Sequence, residues 1–314
     1  ELPGPGGVLR DVGKLTGRTG GTVVAIGLAV AAAGLMAAGA VLGDNAMHVR
    51  RVAPEPDLRP NGLSERQLIV NAGDGVRLFS RFIPSQTAGR SRCVIMLHGI
   101  GDNSANGISL GTMMAERGYS ALLTDSRAHG QSGGELATYG VLERLDVPVW
   151  INLLSSMGEC RGGIYAYGAS MGAGILLQSL PHEPRLKAVV AECPFSSFAE
   201  VARHRIRGFF YQSPRMGAVL APPVVFGGIL YARMRYGIDF NSAAPEESVA
   251  GVKTPILIIH GDADDNIPVE QSRAIAARNP AIQLWVVPGA RHTEAASAAP
   301  EEFKRRVLGW FDAH

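Results

Sequence analysis

Six short apolar runs, each closed by a glycine or a polar residue, constrain the fold of this 314-residue chain more than any other feature. Cys93–Leu97 ends in His98-Gly99, Ala121–Thr124 in Asp125, and Ile164–Tyr167 in Gly168. Ala188–Ala191 ends in Glu192, Ile256–Ile259 in His260-Gly261, and Leu284–Val287 in Pro288-Gly289. Successive positions are apolar, so both faces of each run must be covered, as in buried parallel strands. Helical stretches lie between them. Ser104–Arg117 stops at Gly118, a C′ glycine position, and Met171–Leu180 stops at Pro181. Phe303, Val307, Leu308 and Phe311 share one face of a last helix that has Pro300 near its start. Ahead of the first run, Gln67–Asn71 and Val76–Ile83 flank Ala72-Gly73-Asp74-Gly75, a hairpin signal. The pattern predicts an α/β fold. Its sheet is mostly parallel and eight-stranded, with helices on both faces and an antiparallel hairpin at the start. Ligands in such sheets bind at the carboxyl ends of the strands, so the chemistry is sought there.

Gly168-Ala169-Ser170-Met171-Gly172 follows a predicted strand and opens a predicted helix. That is the setting of a nucleophile elbow, in which close backbone approach excludes side chains at the two glycines. The helix N-terminus favours negative charge developing beside Ser170. After the next-to-last strand, His260 to Pro268 carries three carboxylates, Asp262, Asp264 and Asp265. Spacing alone does not choose among them. His292 follows the last strand, in Pro288-Gly289-Ala290-Arg291-His292. The chain order serine, aspartate, histidine suits acyl transfer on this type of sheet.

His98-Gly99, the stretch Asp125 to Gly134 and the Ser170 elbow together resemble the α/β-hydrolase superfamily. The branch is the esterase, monoacylglycerol-lipase-like and serine-aminopeptidase-like group. Thr138-Tyr139-Gly140, with Glu143 and Asp146 after it, is similar to a pattern of bacterial members. The resemblance covers about residues 65–314. It implies Ser170 as nucleophile, His292 as base and Asp264 as the acid, with backbone N–H groups of Ile100 and Met171 as the oxyanion hole. It implies a small acyl-ester substrate, lipid-like if the cap binds a chain, and neither cofactor nor metal. Activity should then fall in acid as His292 takes up a proton. Ala128 stands where glycine is usual, and Pro148 is expected to kink a helix beginning near Val141. His129 is read as a support of its loop. A serine peptidase is the alternative enzyme, with Glu192, Glu200, Glu246 or Glu247 to hold an α-amine. A non-catalytic binding protein on the same fold is the third reading.

Residues 1–20 read as a tail and 21–43 as a transmembrane anchor or a signal peptide, since about 20 apolar residues span a bilayer core. Arg10, Lys14 and Arg18 precede that segment, which favours a single-pass chain with its catalytic domain outside the cytoplasm. Deleting residues 1–45 is expected to leave a soluble domain. Residues 44–64, with Pro54, Pro56, Pro60 and Gly62, read as a semi-rigid linker. Residues 65–314 form the catalytic domain, with a cap insertion over about 198–252. There, Arg203 to Arg207 is basic, and Met216 to Leu230 is apolar and interrupted by Pro222-Pro223. The net charge of +2 gives no footprint for nucleic acid. Cys93, Cys160 and Cys193 read as buried thiols, one disulfide being open to an extracytoplasmic domain.

Overall fold

The computed structural model describes residues 8–52, 64–87 and 92–314, with side chains from residue 22 onward. Eight strands form one sheet: β1 (Arg66–Asn71), β2 (Arg77–Ile83), β3 (Arg92–Leu97), β4 (Tyr119–Thr124), β5 (Gly163–Ala169), β6 (Leu186–Glu192), β7 (Ile256–Gly261) and β8 (Gln283–Val287). Their order is β1-β2-β4-β3-β5-β6-β7-β8. The β1/β2 and β2/β4 pairs are antiparallel and the rest are parallel. Ten helices accompany them among the described residues: α1 (Val8–Met47), α2 (Ile108–Glu116), α3 (Asp146–Ser156), α4 (Met171–Ser179), α5 (Phe198–Gly208), α6 (Pro214–Tyr236), α7 (Pro245–Ser248), α8 (Val269–Arg278), α9 (Ala295–Ala298) and α10 (Pro300–Ala313).

The continuous apolar runs are explained by two cores. Ile95, Ala166, Val189 and Ile258 face one core with Trp150, Ile175 and Leu176. Their neighbours Val94, Tyr165, Val190 and Leu257 face the other with Met114, Val307 and Phe311. The period-2 pleat divides each strand between the two layers, so every position of β4 and β7 is buried. Parallel register brings Leu97 beside Gly168, Ala169 beside Glu192, and Gly261 beside Val287. The strand ends therefore share one edge of the sheet.

Several local expectations need correction. Pro148 lies in the first turn of α3, where no intrahelical acceptor is required, and it makes no kink; a short 3₁₀ turn at Glu143–Leu145 precedes it. Pro222 and Pro223 lie inside α6 without ending it. Packed neighbours such as Val224 and Val225 hold that helix through the lost hydrogen bonds. Cys93 and Cys160 form a disulfide, which leaves Cys193 as a buried free thiol.

The largest revision concerns the N-terminus. Helix α1 continues past residue 43 to Met47 and packs against α6. A Cβ on Gly39 would fall 1.9 Å from the Val224 carbonyl oxygen, and one on Gly227 would fall 2.3 Å from that of Met36. Only glycine lets the two backbones approach so closely. The Tyr236 hydroxyl donates to Asp44 at 2.6 Å. The segment after α1, expected to be linker, is bound to the domain. The Ala137 N–H donates to the Met47 carbonyl at 2.9 Å, and Arg51 donates to the carbonyls of His129, Gly130, Ser132 and Gly134. The prolines of residues 54–60 and Gly62 lie outside the described residues. Thr22–Met47 and Pro214–Tyr236 are both long and apolar enough to cross a membrane, with mean hydropathies of 2.2 and 1.4. Removing residues 1–45 would uncover the glycine face of α6.

Candidate active site

Ser170 sits between β5 and α4 with φ 53° and ψ −115°, a strained backbone for a residue with a side chain. The turn is fixed from both sides. A Cβ on Gly168 would lie 2.6 Å from the Gly172 carbonyl oxygen, and one on Gly172 would lie 2.3 Å from that of Leu97. The Ser170 N–H donates to the Glu192 carbonyl at 2.8 Å. The serine is buried, 5% exposed, and its Oγ lies 2.9 Å from His292 Nε2.

His292 Nδ1 lies 2.7 Å from Asp264 Oδ2. The other oxygen of Asp264 accepts the N–H groups of Asn266 and Ile267, each at 2.9 Å. Burial pushes the Asp264 carboxyl up, but hydrogen bonds from His260, His292 and the Ile267 N–H hold it well below the usual carboxylate range. Asp265 is exposed and lies 3.5 Å from Arg291, and Asp262 accepts the Gly289 N–H at 2.6 Å. Geometry thus chooses Asp264 where spacing did not.

Sequence reasoning gave His260 no role. It is wholly buried, with Nε2 2.7 Å from the Ile267 carbonyl and 3.2 Å from Asp264 Oδ2, and Nδ1 2.6 Å from Ser272 Oγ. It therefore orients the acid from behind. Its one sequence signal is its place at the end of β7, four residues before Asp264. Cys193 adds a strained residue at φ 49°, and its sulfur accepts the Thr293 N–H at 3.4 Å, next to His292. Cys193, His260 and Asp264 bring ligand atoms within 4.8 Å of one another. Burial pushes the Cys193 thiol up, and Asp264 is already engaged by His292, so this trio is poorly suited to a metal.

The loop after β3 lies against the serine: a Cβ on Gly99 would be 3.9 Å from Ser170 Oγ. Two buried histidines set this loop. His98 Nε2 accepts the Ser126 N–H at 3.0 Å, so its Nδ1 carries the proton and donates to the Gly99 carbonyl at 2.7 Å. His129 Nε2 accepts the Gly101 N–H at 3.1 Å, and its Nδ1 donates to the Arg127 carbonyl at 2.9 Å. His129 thus supports the loop and is not placed against Ser170. Asp125 accepts the N–H groups of Ser104 and Gln131, each at 2.7 Å, which ties the loop after β3 to the loop after β4. Ala128 has φ 63°, which explains why the resemblance leads one to expect glycine there.

Eight strands in this order, with a serine on the turn after β5, an aspartate after β7 and a histidine after β8, define the α/β-hydrolase fold. Residues 89–222 match the family described as Serine aminopeptidase, S33. Among curated proteins, the chain is 26% identical to Uncharacterized protein YqkD of Bacillus subtilis over 223 residues, 70% of each chain. It is 25% identical to Lysophosphatidylserine lipase ABHD12 of Macaca fascicularis over 54% of this chain and 40% of that one. Among solved structures, the Pyrococcus furiosus esterase Pf2001 superposes with a TM-score of 0.68 at 24% identity, covering 86% of this chain and 98% of that one.

Proposed function

We propose that this chain is a membrane-anchored serine hydrolase that cleaves a carboxylic ester through an acyl-enzyme. One observation carries the reading: Ser170 Oγ, His292 and Asp264 form a continuous hydrogen-bonded series at 2.9 and 2.7 Å. Ser170 Oγ attacks the ester carbonyl while His292 Nε2 takes its proton. His292 then gives that proton to the leaving alkoxide, and the alcohol departs. Water, deprotonated by His292, attacks the acyl-serine; the acid leaves and Ser170 regains its proton. Asp264 holds the imidazole with its proton on Nδ1 and stabilises the imidazolium.

The oxyanion falls to the N–H groups of Met171 and Ile100. Met171 is the first residue of α4, where an N–H has no intrahelical partner. His98 holds the Gly99 carbonyl, so the Ile100 N–H, trans across the same peptide, points to the opposite side. Each such donor is worth about 3–4 kcal/mol in the transition state.

Three of the four carboxylates that could hold an α-amine are engaged elsewhere, while Glu247 is exposed on α7. Glu192 is buried against the Tyr167 hydroxyl and the Ala295 N–H, and burial raises its carboxyl toward the neutral form. Glu200 is paired with Arg203 and Glu246 with Arg278. The Cys93–Cys160 disulfide supports a catalytic domain outside the cytoplasm. A fluorophosphonate probe should label Ser170 in the wild type and fail in Ser170→Ala, while Ser126→Ala keeps the label. A panel of aryl esters and aminoacyl amides should then show ester cleavage. An unlabelled but folded wild type, or amides cut in preference to esters, would refute the proposal.

A further inference from the structure

Four backbone carbonyls of the loop after β4, those of His129, Gly130, Ser132 and Gly134, converge on one side chain from a distant part of the chain. Arg51 Nη1 donates to His129 at 3.3 Å, to Gly130 at 3.2 Å and to Ser132, and its Nη2 donates to Gly134 at 2.6 Å. Carbonyl dipoles aimed at one point repel one another. A planar guanidinium with five N–H donors is the side chain suited to hold them together. Arg51 belongs to a strap, Met47 to Val52, that follows α1. Both ends of the strap are tied. The Ala137 N–H holds the Met47 carbonyl at 2.9 Å, and Asn103 Nδ2 donates to the Val52 carbonyl at 3.4 Å. Met47 itself is wholly buried. Between the ties, Val49 lies 4.0 Å from the place a Cβ on Gly101 would take. The strap therefore meets the loop after β3 as well as the loop after β4.

Ile100 stands between Gly99 and Gly101, so two peptide planes set the direction of its N–H. His98 fixes the first by donating to the Gly99 carbonyl at 2.7 Å, and His129 fixes the second by accepting the Gly101 N–H at 3.1 Å. Gly101 has φ 73° and no side chain to resist rotation. Its orientation therefore rests on His129, and the backbone of His129 is held through its carbonyl by Arg51. We infer that Arg51 is a positioning residue for the oxyanion hole: through the His129 loop it fixes the Ile100–Gly101 peptide and keeps the Ile100 N–H aimed at the developing oxyanion. This rests on the serine-hydrolase reading. The strap starts from a fixed point, because α1 packs on α6 at Gly39 and Asp44 is held by the Tyr236 hydroxyl. An oxyanion donor acts on the tetrahedral intermediate more than on the bound ester. Loss of Arg51 therefore slows acylation in proportion to the charge that the carbonyl oxygen must develop.

The test uses the full chain in detergent micelles with p-nitrophenyl butanoate and its thiono counterpart, in which sulfur replaces the carbonyl oxygen. Both esters release p-nitrophenolate. Sulfur is a weak hydrogen-bond acceptor, so the thiono ester gains little from the N–H donors. Arg51→Ala should lower kcat/KM for the oxygen ester by about ten- to hundredfold, as for a donor displaced by about 1 Å, and lower the oxygen-to-sulfur ratio by the same factor. A purely structural role would slow both esters together, so an unaltered ratio in the folded variant overturns the assignment. Arg50→Ala removes the neighbouring exposed charge and should leave the ratio as in the wild type. An equal fall there would trace the effect to net charge and overturn the assignment as well. If Arg51→Ala misfolds, Arg51→Lys reads the same ratio. An ammonium is a point donor that does not span four carbonyls, so the ratio should fall by at least about threefold, and a wild-type ratio overturns the role. Fluorophosphonate labelling of the wild type separates the two readings. Labelled Ser170 with an unaltered ratio sinks the role of Arg51 alone, and unlabelled Ser170 sinks the hydrolase reading beneath it.

Discussion

Acid should loosen the loop beside Ser170 through His129. The imidazole is 1% exposed and accepts the Gly101 N–H, so its neutral form is the one the fold requires. Burial, with His98 at a ring separation of 5.1 Å and Arg51 adding to it, pushes His129 from 6.5 down to about 4, while the Arg127 carbonyl and Asp125 act in the opposite direction. A folded value below the unfolded one means the unfolded chain binds the extra proton. The stabilisation is therefore complete above 6.5 and is lost as pH falls toward 4. At about 1.4 kcal/mol per unit, this is worth about 3 kcal/mol. Urea unfolding followed by tryptophan fluorescence measures it, on the full chain in micelles at about pH 7.5 and about pH 4.5. The wild type should lose about 2–3 kcal/mol more than His129→Gln over that interval. His98, also lowered by burial, is present in both proteins, so the difference reads the His129 contribution together with its repulsion from His98. Equal losses in the two proteins would refute the reasoning.

Four further outcomes are expected. Ala128→Gly should stabilise the domain by up to about 1 kcal/mol in the same assay, because φ 63° is strained for alanine; a loss of stability would contradict this. Denatured protein exported to an oxidising compartment should titrate one thiol, Cys193, before reduction and three after it. Cys160→Ser should cost about 4 kcal/mol for a sequence separation of 67 residues, and an unaltered midpoint would argue against the bond. Gly39→Leu should lower the thermal midpoint in micelles, since even a Cβ there meets the Val224 carbonyl oxygen, with overpacking of about 1–3 kcal/mol. An unaltered midpoint would mean that α1 and α6 do not pack as described.

Much of this fold was legible before any coordinate. Six of the eight strands were marked because runs such as Val94 to Leu97 are apolar on both faces, and only a covered sheet accepts that pattern; the first two were marked by their turn. The Ser170 turn was marked because Gly168 and Gly172 stand where backbone meets backbone. These are local signals, carried by period and by backbone sterics. His260 was not legible, because a histidine ending a strand reads the same whether or not it faces a carboxylate. Nor was the disulfide, since cysteines 67 residues apart carry no record of distance.

The N-terminus shows the division most plainly. Its sequence alone determined that Thr22 to Leu42 needs an apolar surrounding, since hydropathy is a property of the segment itself. That Gly39 and Gly43 face α6, that Arg51 grips the loop of His129, and that Ala46 borders a cavity were decided by tertiary structure. Those facts depend on where residues more than about 80 positions later in the chain come to rest, and short-range periodicity does not carry that information.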